Sequence, residues 1–255
     1  PDEVVTHART KLLTVPDLDG QVALITIDNG HDHTRPSTFG PQSLVSLSAA
    51  FDEAAAASPV AIAVTGKPFV FAVGADLTAV EGASERSQAV TIGQLGHDVF
   101  RKFTESKVPT FAFVNGAVMG GGLELALSCH YRTLASNAAA IALPEVFLGL
   151  FPGWGGTQLL PNLIGANDAV TVIFENALNQ NKMLKPKEAL ALGIADVLFD
   201  SADYLEQSLL WLASVVRGDV VPARREIDRG EGWDAAVARA RAIVDGKTKG
   251  AAPGA

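Results

Sequence analysis

Cysteine is almost absent: Cys129 is alone in a chain of 255 residues. A single thiol excludes an internal disulfide and any zinc site built on cysteines, and it fits a reducing compartment. Long apolar runs are missing too. Pro1 to Lys11 carries charges throughout, so no signal-type apolar segment is expected there. The least charged stretch, Val108 to Leu123, is interrupted by Pro109, Asn115 and four glycines, and it is too short to span a bilayer. Positive charge is in deficit, with 20 Lys and Arg against 28 Asp and Glu and a formal net charge of -8. That balance argues against nucleic acid or an anionic membrane as the main partner. These absences lead us to expect a soluble, cytoplasmic protein with no membrane span.

What is present suits one sizeable domain, with 48% hydrophobic and 19% charged residues. Val22 to Ile27, Val60 to Thr65 and Thr110 to Val114 read as buried strands. Ser43 to Ala57 and Gln88 to Ser106 read as helices, the first with Leu44, Leu47 and Phe51 on one face. Two irregular loops follow strands: the apolar Gly66 to Leu77, and Asn115 to Gly122 with its glycine triplet. Strand, irregular loop and helix thus occur twice, which favours parallel strands in α/β layers with ligands gathered beyond the strand ends. Tyr131 to Ala135 and Ala139 to Leu143 read as further strands, and Val197 to Phe199 as a short one. Asp168 to Leu178, Pro186 to Leu192, Tyr204 to Val216 and Trp233 to Val244 read as helices. The expected organisation is a core over 1–200, a helical region over 201–245 and a flexible tail over 246–255. The missing initial methionine and this tail suggest a piece of a longer polypeptide.

The chain is organised around Pro109 to Cys129, PTFAFVNGAVMGGGLELALSC. A strand gives way to bare backbone at Gly120-Gly121-Gly122 and then to a helix start at Leu123. Glycines expose backbone N–H groups, and a helix N-terminus adds unpaired donors and a positive dipole end. Such a place binds a phosphate or a developing oxyanion. The spacing is neither the dinucleotide fingerprint nor a Walker loop. Glu124 follows at once, and Glu145 follows Pro144 beside another apolar run. Two carboxylates in poorly solvated places can divide acid and base roles near neutral pH, whereas singly each reads as a helix-end charge. His31 and His33 form an H-x-H pair in a polar loop, but no acidic or cysteine partner stands at a committed spacing, so no metal site is expected.

Four segments together resemble the enoyl-CoA hydratase (crotonase) superfamily: Phe71-Ala72-Val73-Gly74-Ala75-Asp76-Leu77, the run from Asn115 to Ala126, Pro144 to Gly149, and Pro152-Gly153-Trp154-Gly155-Gly156-Thr157-Gln158. With the segment Lys185 to Ala195, the resemblance covers about Val22 to Ala213 and is similar to the hydratase part of multifunctional fatty-acid oxidation proteins. It implies an α/β fold: a spiral of ββα repeats with a helical C-terminal region, assembled as a homotrimer or hexamer. It implies an acyl-CoA thioester as substrate and no separate cofactor, since coenzyme A is part of the substrate. It places an oxyanion hole at the backbone N–H groups of Ala75 and Gly121 and a water-handling pair at Glu124 and Glu145. Ala72, Gly74, Asp76, Gly120 and Trp154 then line the substrate, with core packing the alternative for Trp154. Retention of both carboxylates favours hydration of a 2-trans-enoyl-CoA in fatty-acid β-oxidation. The alternatives are a 3-enoyl-CoA isomerase, a thioester hydrolase or a non-catalytic acyl-CoA binding subunit, and other β-oxidation enzymes are candidate partners. Lys67 or Lys102, or a basic residue near the C-terminal helices, is a candidate for the CoA phosphates.

The sequence departs from the family pattern in four places, one being Leu159-Leu160 where an Arg-Leu pair is common. His130 stands where Asp is common, and a histidine there could titrate near neutral pH. The interval between Glu124 and Glu145 is one residue longer than expected, and the turn Arg132 to Ala138 is its expected place. The polar link Asn29 to Pro41 is long.

Overall fold

The structure is a computed structural model, and it describes residues 3–77 and 86–249. Its larger sheet has six strands: β1 (His7–Thr14), β2 (Gln21–Asp28), β3 (Ala61–Gly66), β5 (Thr110–Val114), β7 (Tyr131–Ala135) and β9 (Val197–Phe199), in the order β1-β2-β3-β5-β7-β9. Only β1 and β2 pair antiparallel; the other neighbours are parallel. The alternation of side chains sends Ile25, Ile27, Ile62, Val64 and Ala112 to one face, and Val22, Leu24, Ala63, Phe111 and Phe113 to the other. Helices cover both faces, so β3 and β5 read as unbroken buried runs.

On the first face lie α1 (Pro41–Ala56), α2 (Arg86–Thr104) and α3 (Gly121–Ser128). On the second lies α7 (Tyr204–Arg217), through Tyr204, Leu212 and Ala213. A smaller parallel sheet has the order β4-β6-β8, made of β4 (Phe69–Ala72), β6 (Gly116–Met119) and β8 (Ile141–Ala142). Each repeat gives one strand to the large sheet, one to the small sheet and then a helix: β3-β4-α2, and β5-β6-α3. This is the ββα spiral, an α/β fold.

Several expected boundaries move. The two irregular loops each contain a strand, β4 and β6. Gly66 and Gly116 let the chain fold sharply from one sheet to the other, because a side chain on either would meet the backbone of Val70–Phe71 or Phe69–Val70. Four-residue strands beside glycines carry too little periodicity to announce themselves. Strand β1 carries no sequence signal, because its exposed and half-buried residues form no apolar face; pairing with β2 makes it a strand. The strand expected over Ala139 to Leu143 keeps only Ile141–Ala142.

The helix expected over Asp168 to Leu178 is α5 (Ala166–Val170), a π-helical turn Thr171–Glu175 and a last turn Asn176–Leu178. It follows α4 (Gly156–Ile164) and precedes α6 (Pro186–Leu192). The final helix, α8 (Glu231–Thr248), continues past Gly246, where a flexible tail was expected; residues 250–255 of that tail lie outside the described residues. Helix α8 packs on α5 through Val170, Ala236 and Ala240. The irregular chain between α7 and α8 is pinned by arginines. Arg224 pairs with Asp196 and bonds His130 C=O at 2.9 Å, Arg225 bonds Ala191 C=O at 2.8 Å, and Arg229 bonds Asn162 at 2.7 Å. No described helix is long and apolar enough to cross a membrane.

Candidate active site

The site forms where the small sheet meets the start of α3. Gly74 adopts φ +97°, and Phe39 lies beside the next residue like a short parallel strand. Phe39 N–H donates to Gly74 C=O, and Asp76 N–H donates to Phe39 C=O, both at 2.9 Å. In such a ladder the middle residue turns its own N–H away, so the Ala75 N–H faces away from Phe39. Gly121 is close: a carbon added to it would lie 3.6 Å from Ala75 N, and a carbon added to Gly74 would lie 3.7 Å from Gly121 N. Gly121 opens α3, so its N–H has no acceptor within the helix. The two expected donors therefore sit side by side. The bracing strip from Ser37 to Phe39, which also accepts Val73 N–H at 2.9 Å, carried no sequence signal.

The two carboxylates meet despite the longer interval between them. Glu124 is 2% exposed, and its Oε1 accepts N–H bonds from Trp154 and Gly156, each at 2.8 Å. Burial pushes its pKa up to about 7, against the lowering effect of the Gly156 and Trp154 donors. Glu145 heads the turn Glu145–Leu148. Its Oε2 is buried with no hydrogen-bond partner among the described residues. Burial first, and then the neighbouring Glu124 charge, raise the Glu145 pKa to about 8. Glycine is required at Gly120, where φ is +51° and a side chain would begin 2.8 Å from Glu145 Oε1. Loop after β6, start of α3 and turn at Glu145 thus converge on one spot.

Other expected site residues stand further back. Ala72 is fully buried, and its carbonyl backs onto Gly122. Asp76 joins the site through its backbone bond to Phe39. Trp154 is 7% exposed, with its ring edge-on to Phe100 at 5.5 Å and flush against Gly96 and Gly121. It packs the floor beneath the Gly121 donor, and its own backbone N–H holds Glu124. That anchoring by Trp154 and Gly156 was not legible in the chain, because it depends on a loop returning from thirty residues away.

The cations expected for CoA phosphates are occupied elsewhere. Lys67 is 4% exposed, and its ammonium donates to Asn29 Oδ1 at 2.5 Å and to the carbonyls of His31, Asp32 and Arg35 at 2.9, 2.9 and 2.7 Å. It is the pin of the long polar link. Lys102 pairs with Asp52 at 2.6 Å. His33 lies edge-on to Phe69 at 5.6 Å, and among the described residues no group of three or more His, Cys, Asp and Glu side chains could hold a metal. His130 lies away from the carboxylates, with Nδ1 accepting Thr110 N–H at 3.1 Å. Burial first, then the Arg132 and Arg224 charges, push its pKa below the usual histidine value, so it is a neutral structural group.

A family profile described as "Enoyl-CoA hydratase/isomerase" matches residues 18–223, most of the chain. The chain belongs to the enoyl-CoA hydratase/isomerase family. Its curated relatives include "Fatty acid oxidation complex subunit alpha" of Shewanella frigidimarina, 35% identical over 196 residues, which are 75% of this chain and 26% of the relative. The protein of the same name from Shewanella halifaxensis is 37% identical over 183 residues, 70% of this chain and 25% of the relative. The chain thus spans about a quarter of the length of these relatives. Among solved structures, Pseudomonas aeruginosa DspI is 30% identical with a TM-score of 0.69, covering 84% of this chain and 76% of that one. An enoyl-CoA hydratase from Bacillus anthracis, 23% identical, shares the fold with a TM-score of 0.69, covering 82% of this chain and 76% of that one. The two-sheet spiral described above is therefore the crotonase fold.

Proposed function

We propose that the chain is an enoyl-CoA hydratase that adds water to a 2-trans-enoyl-CoA and yields the 3-hydroxyacyl-CoA. The carrying observation is the Glu124–Glu145 pair: a buried carboxylate and a neighbouring half-buried one whose Oε2 is buried, with pKa values raised to about 7 and about 8, beside two backbone donors. The thioester oxygen sits between the N–H groups of Ala75 and Gly121, where charge develops as the double bond is attacked. Removing one such donor typically costs about 3 kcal/mol of transition-state stabilisation. Glu124, its Oε1 tied to two N–H groups, presents Oε2 to a water and takes its proton as the oxygen bonds to C3. Glu145, the more readily protonated of the pair, gives its proton to C2. The proton taken by Glu124 then passes to Glu145 and restores the starting state. No cofactor is needed beyond the coenzyme A of the substrate.

The name of the curated relatives supports a place in fatty-acid oxidation. The test is loss of enoyl-thioester absorbance with wild type, Glu124→Gln and Glu145→Gln. Both variants should fall by about 10²–10⁴-fold, the usual contribution of a positioned acid or base. A second reading is isomerisation of a 3-enoyl-CoA by Glu145 alone, favoured by the commitment of Glu124 Oε1 to structural bonds. In that case Glu124→Gln keeps most activity, wild type leaves 2-trans-enoyl-CoA unhydrated, and the hydratase reading fails.

A further inference from the structure

We infer that Lys67 is a positioning residue for the Ala75 donor: its buried ammonium anchors the strip of backbone that aims the Ala75 N–H; this rests on the acyl-CoA reading above. Lys67 follows Gly66 at the end of β3. Its ammonium reaches four oxygens of the link beyond β2: Asn29 Oδ1 at 2.5 Å, and the carbonyls of His31, Asp32 and Arg35 at 2.9, 2.9 and 2.7 Å. An ammonium carries three N–H donors, so none is left for a ligand. Asn29 closes the clamp, its Nδ2 donating to Arg35 C=O at 3.2 Å and to Pro36 C=O at 3.0 Å.

The clamped Arg35 and Pro36 lead straight into the strip. Ser37 C=O accepts Val73 N–H, Phe39 N–H donates to Gly74 C=O, and Phe39 C=O accepts Asp76 N–H, each at 2.9 Å. These bonds hold the chain on both sides of Ala75 and leave its N–H turned away from Phe39, beside Gly121. The backbone of the lysine is fixed as well. Asn115 Nδ2 donates to Lys67 C=O at 2.7 Å, and Asn115 Oδ1 accepts Gly66 N–H at 3.0 Å. Asn115 stands at the corner between β5 and β6, and β6 runs on to Gly120 and Gly121. One chain of bonds thus refers the strip behind Ala75 and the turn at Gly121 to the same corner. A buried charge is costly, but with its donors satisfied it selects a single path for an irregular link. An oxyanion donor needs that, because a misplacement of about 1 Å can cost about 10²-fold in rate.

The experiment compares wild type with Lys67→Met, Asn29→Ala and Asp196→Ala, each below its own unfolding transition. Infrared difference spectroscopy reads the carbonyl stretch of bound butanoyl-CoA, isotope-labelled at the thioester carbonyl, and kinetics reads hydration of the matching enoyl-CoA. In wild type the stretch lies below that of free thioester, because two N–H donors polarise the carbonyl. Lys67→Met should move it back towards the free value and lower kcat by about 10–10²-fold, with butanoyl-CoA still bound. Asn29→Ala keeps the ammonium and should move both in the same direction by less; it decides the matter if Lys67→Met does not fold. Asp196→Ala loses a buried ion pair elsewhere in the fold and should move neither. A stretch and kcat equal to wild type in the folded Lys67 and Asn29 variants, or an equal change in Asp196→Ala, overturns the inference while a hydrating wild type keeps the function. A stretch that responds to Lys67 in a chain that does not hydrate supports the inference and removes the hydratase reading. Binding of no thioester overturns both.

Discussion

Glu145 is where a single residue couples stability to chemistry. Its pKa stands near 8 in the folded chain, against an ordinary 4.5, so the folded state holds a proton that the unfolded state releases between those values. The stability from that proton is fully present below the ordinary value and is lost as pH rises through about 8. Glu145→Gln removes this titration. Its melting temperature should change less with pH than that of wild type, and it should overtake wild type on the alkaline side. A scan of thermal unfolding against pH checks this; parallel curves would mean that Glu145 is solvated. The same pair sets the rate. Hydration needs Glu124 charged and Glu145 protonated, so kcat/KM should peak between about 7 and about 8. The two limbs belong to the pair and not to either residue alone. That each Glu stood beside an apolar run was visible in the chain; that they meet was not, because the contact spans a strand, a turn and a second strand.

At the scale of elements, the glycine turn into α3 is the tightest place. A side chain on Gly121 would begin 2.5 Å from the Trp154 ring, and Trp154 cannot retreat because Gly96 and Phe100 close behind it. Gly121→Ala should therefore tilt the start of α3 and misplace its N–H. We expect kcat to fall by about 10²–10³-fold, as for loss of an oxyanion donor, with fold and CoA-thioester binding retained. Steady-state kinetics with a binding measurement separates the two. The link between β2 and α1 depends on Lys67, whose ammonium satisfies four oxygens at once. Lys67→Met strands them without a donor and should cost on the order of 3 kcal/mol in denaturant unfolding. A stability equal to wild type would show that water replaces the ammonium freely. Lysine in an apolar loop reads as a ligand-binding cation until the loop is seen to fold around it.

At the scale of the whole molecule, Asp196 joins parts far apart in the chain. Its side chain is 3% exposed, accepts Arg132 N–H at 2.7 Å, and pairs with both Arg132 and Arg224. It thereby ties β7 and the segment before β9 to the strap that leads to α8. Asp196→Ala leaves Arg132 buried without its carboxylate, and truncation of one partner of such a pair costs about 3–5 kcal/mol. Denaturant unfolding of Asp196→Ala checks this, and a midpoint equal to wild type would show that the backbone carbonyls around Arg132 suffice without the carboxylate. The homotrimer or hexamer that we propose is checked by sedimentation of the purified chain; a monomer would discard it.

The chain by itself determined its alternation of buried strands and helices, because a strand covered on both faces must be apolar throughout. It also determined the glycine triplet and the acidic residues placed after it, because bare backbone and a poorly solvated carboxylate are residue-type properties. Only the tertiary structure decided that the small sheet exists, since Phe69–Ala72 and Gly116–Met119 are strands through pairing and not through their own pattern. It alone turned Ala75 and Gly121 into neighbours, sent Lys67 into the polar link and set α8 over an apolar cavity. Each of these depends on contacts between segments distant in sequence, and neither composition nor periodicity records such a contact.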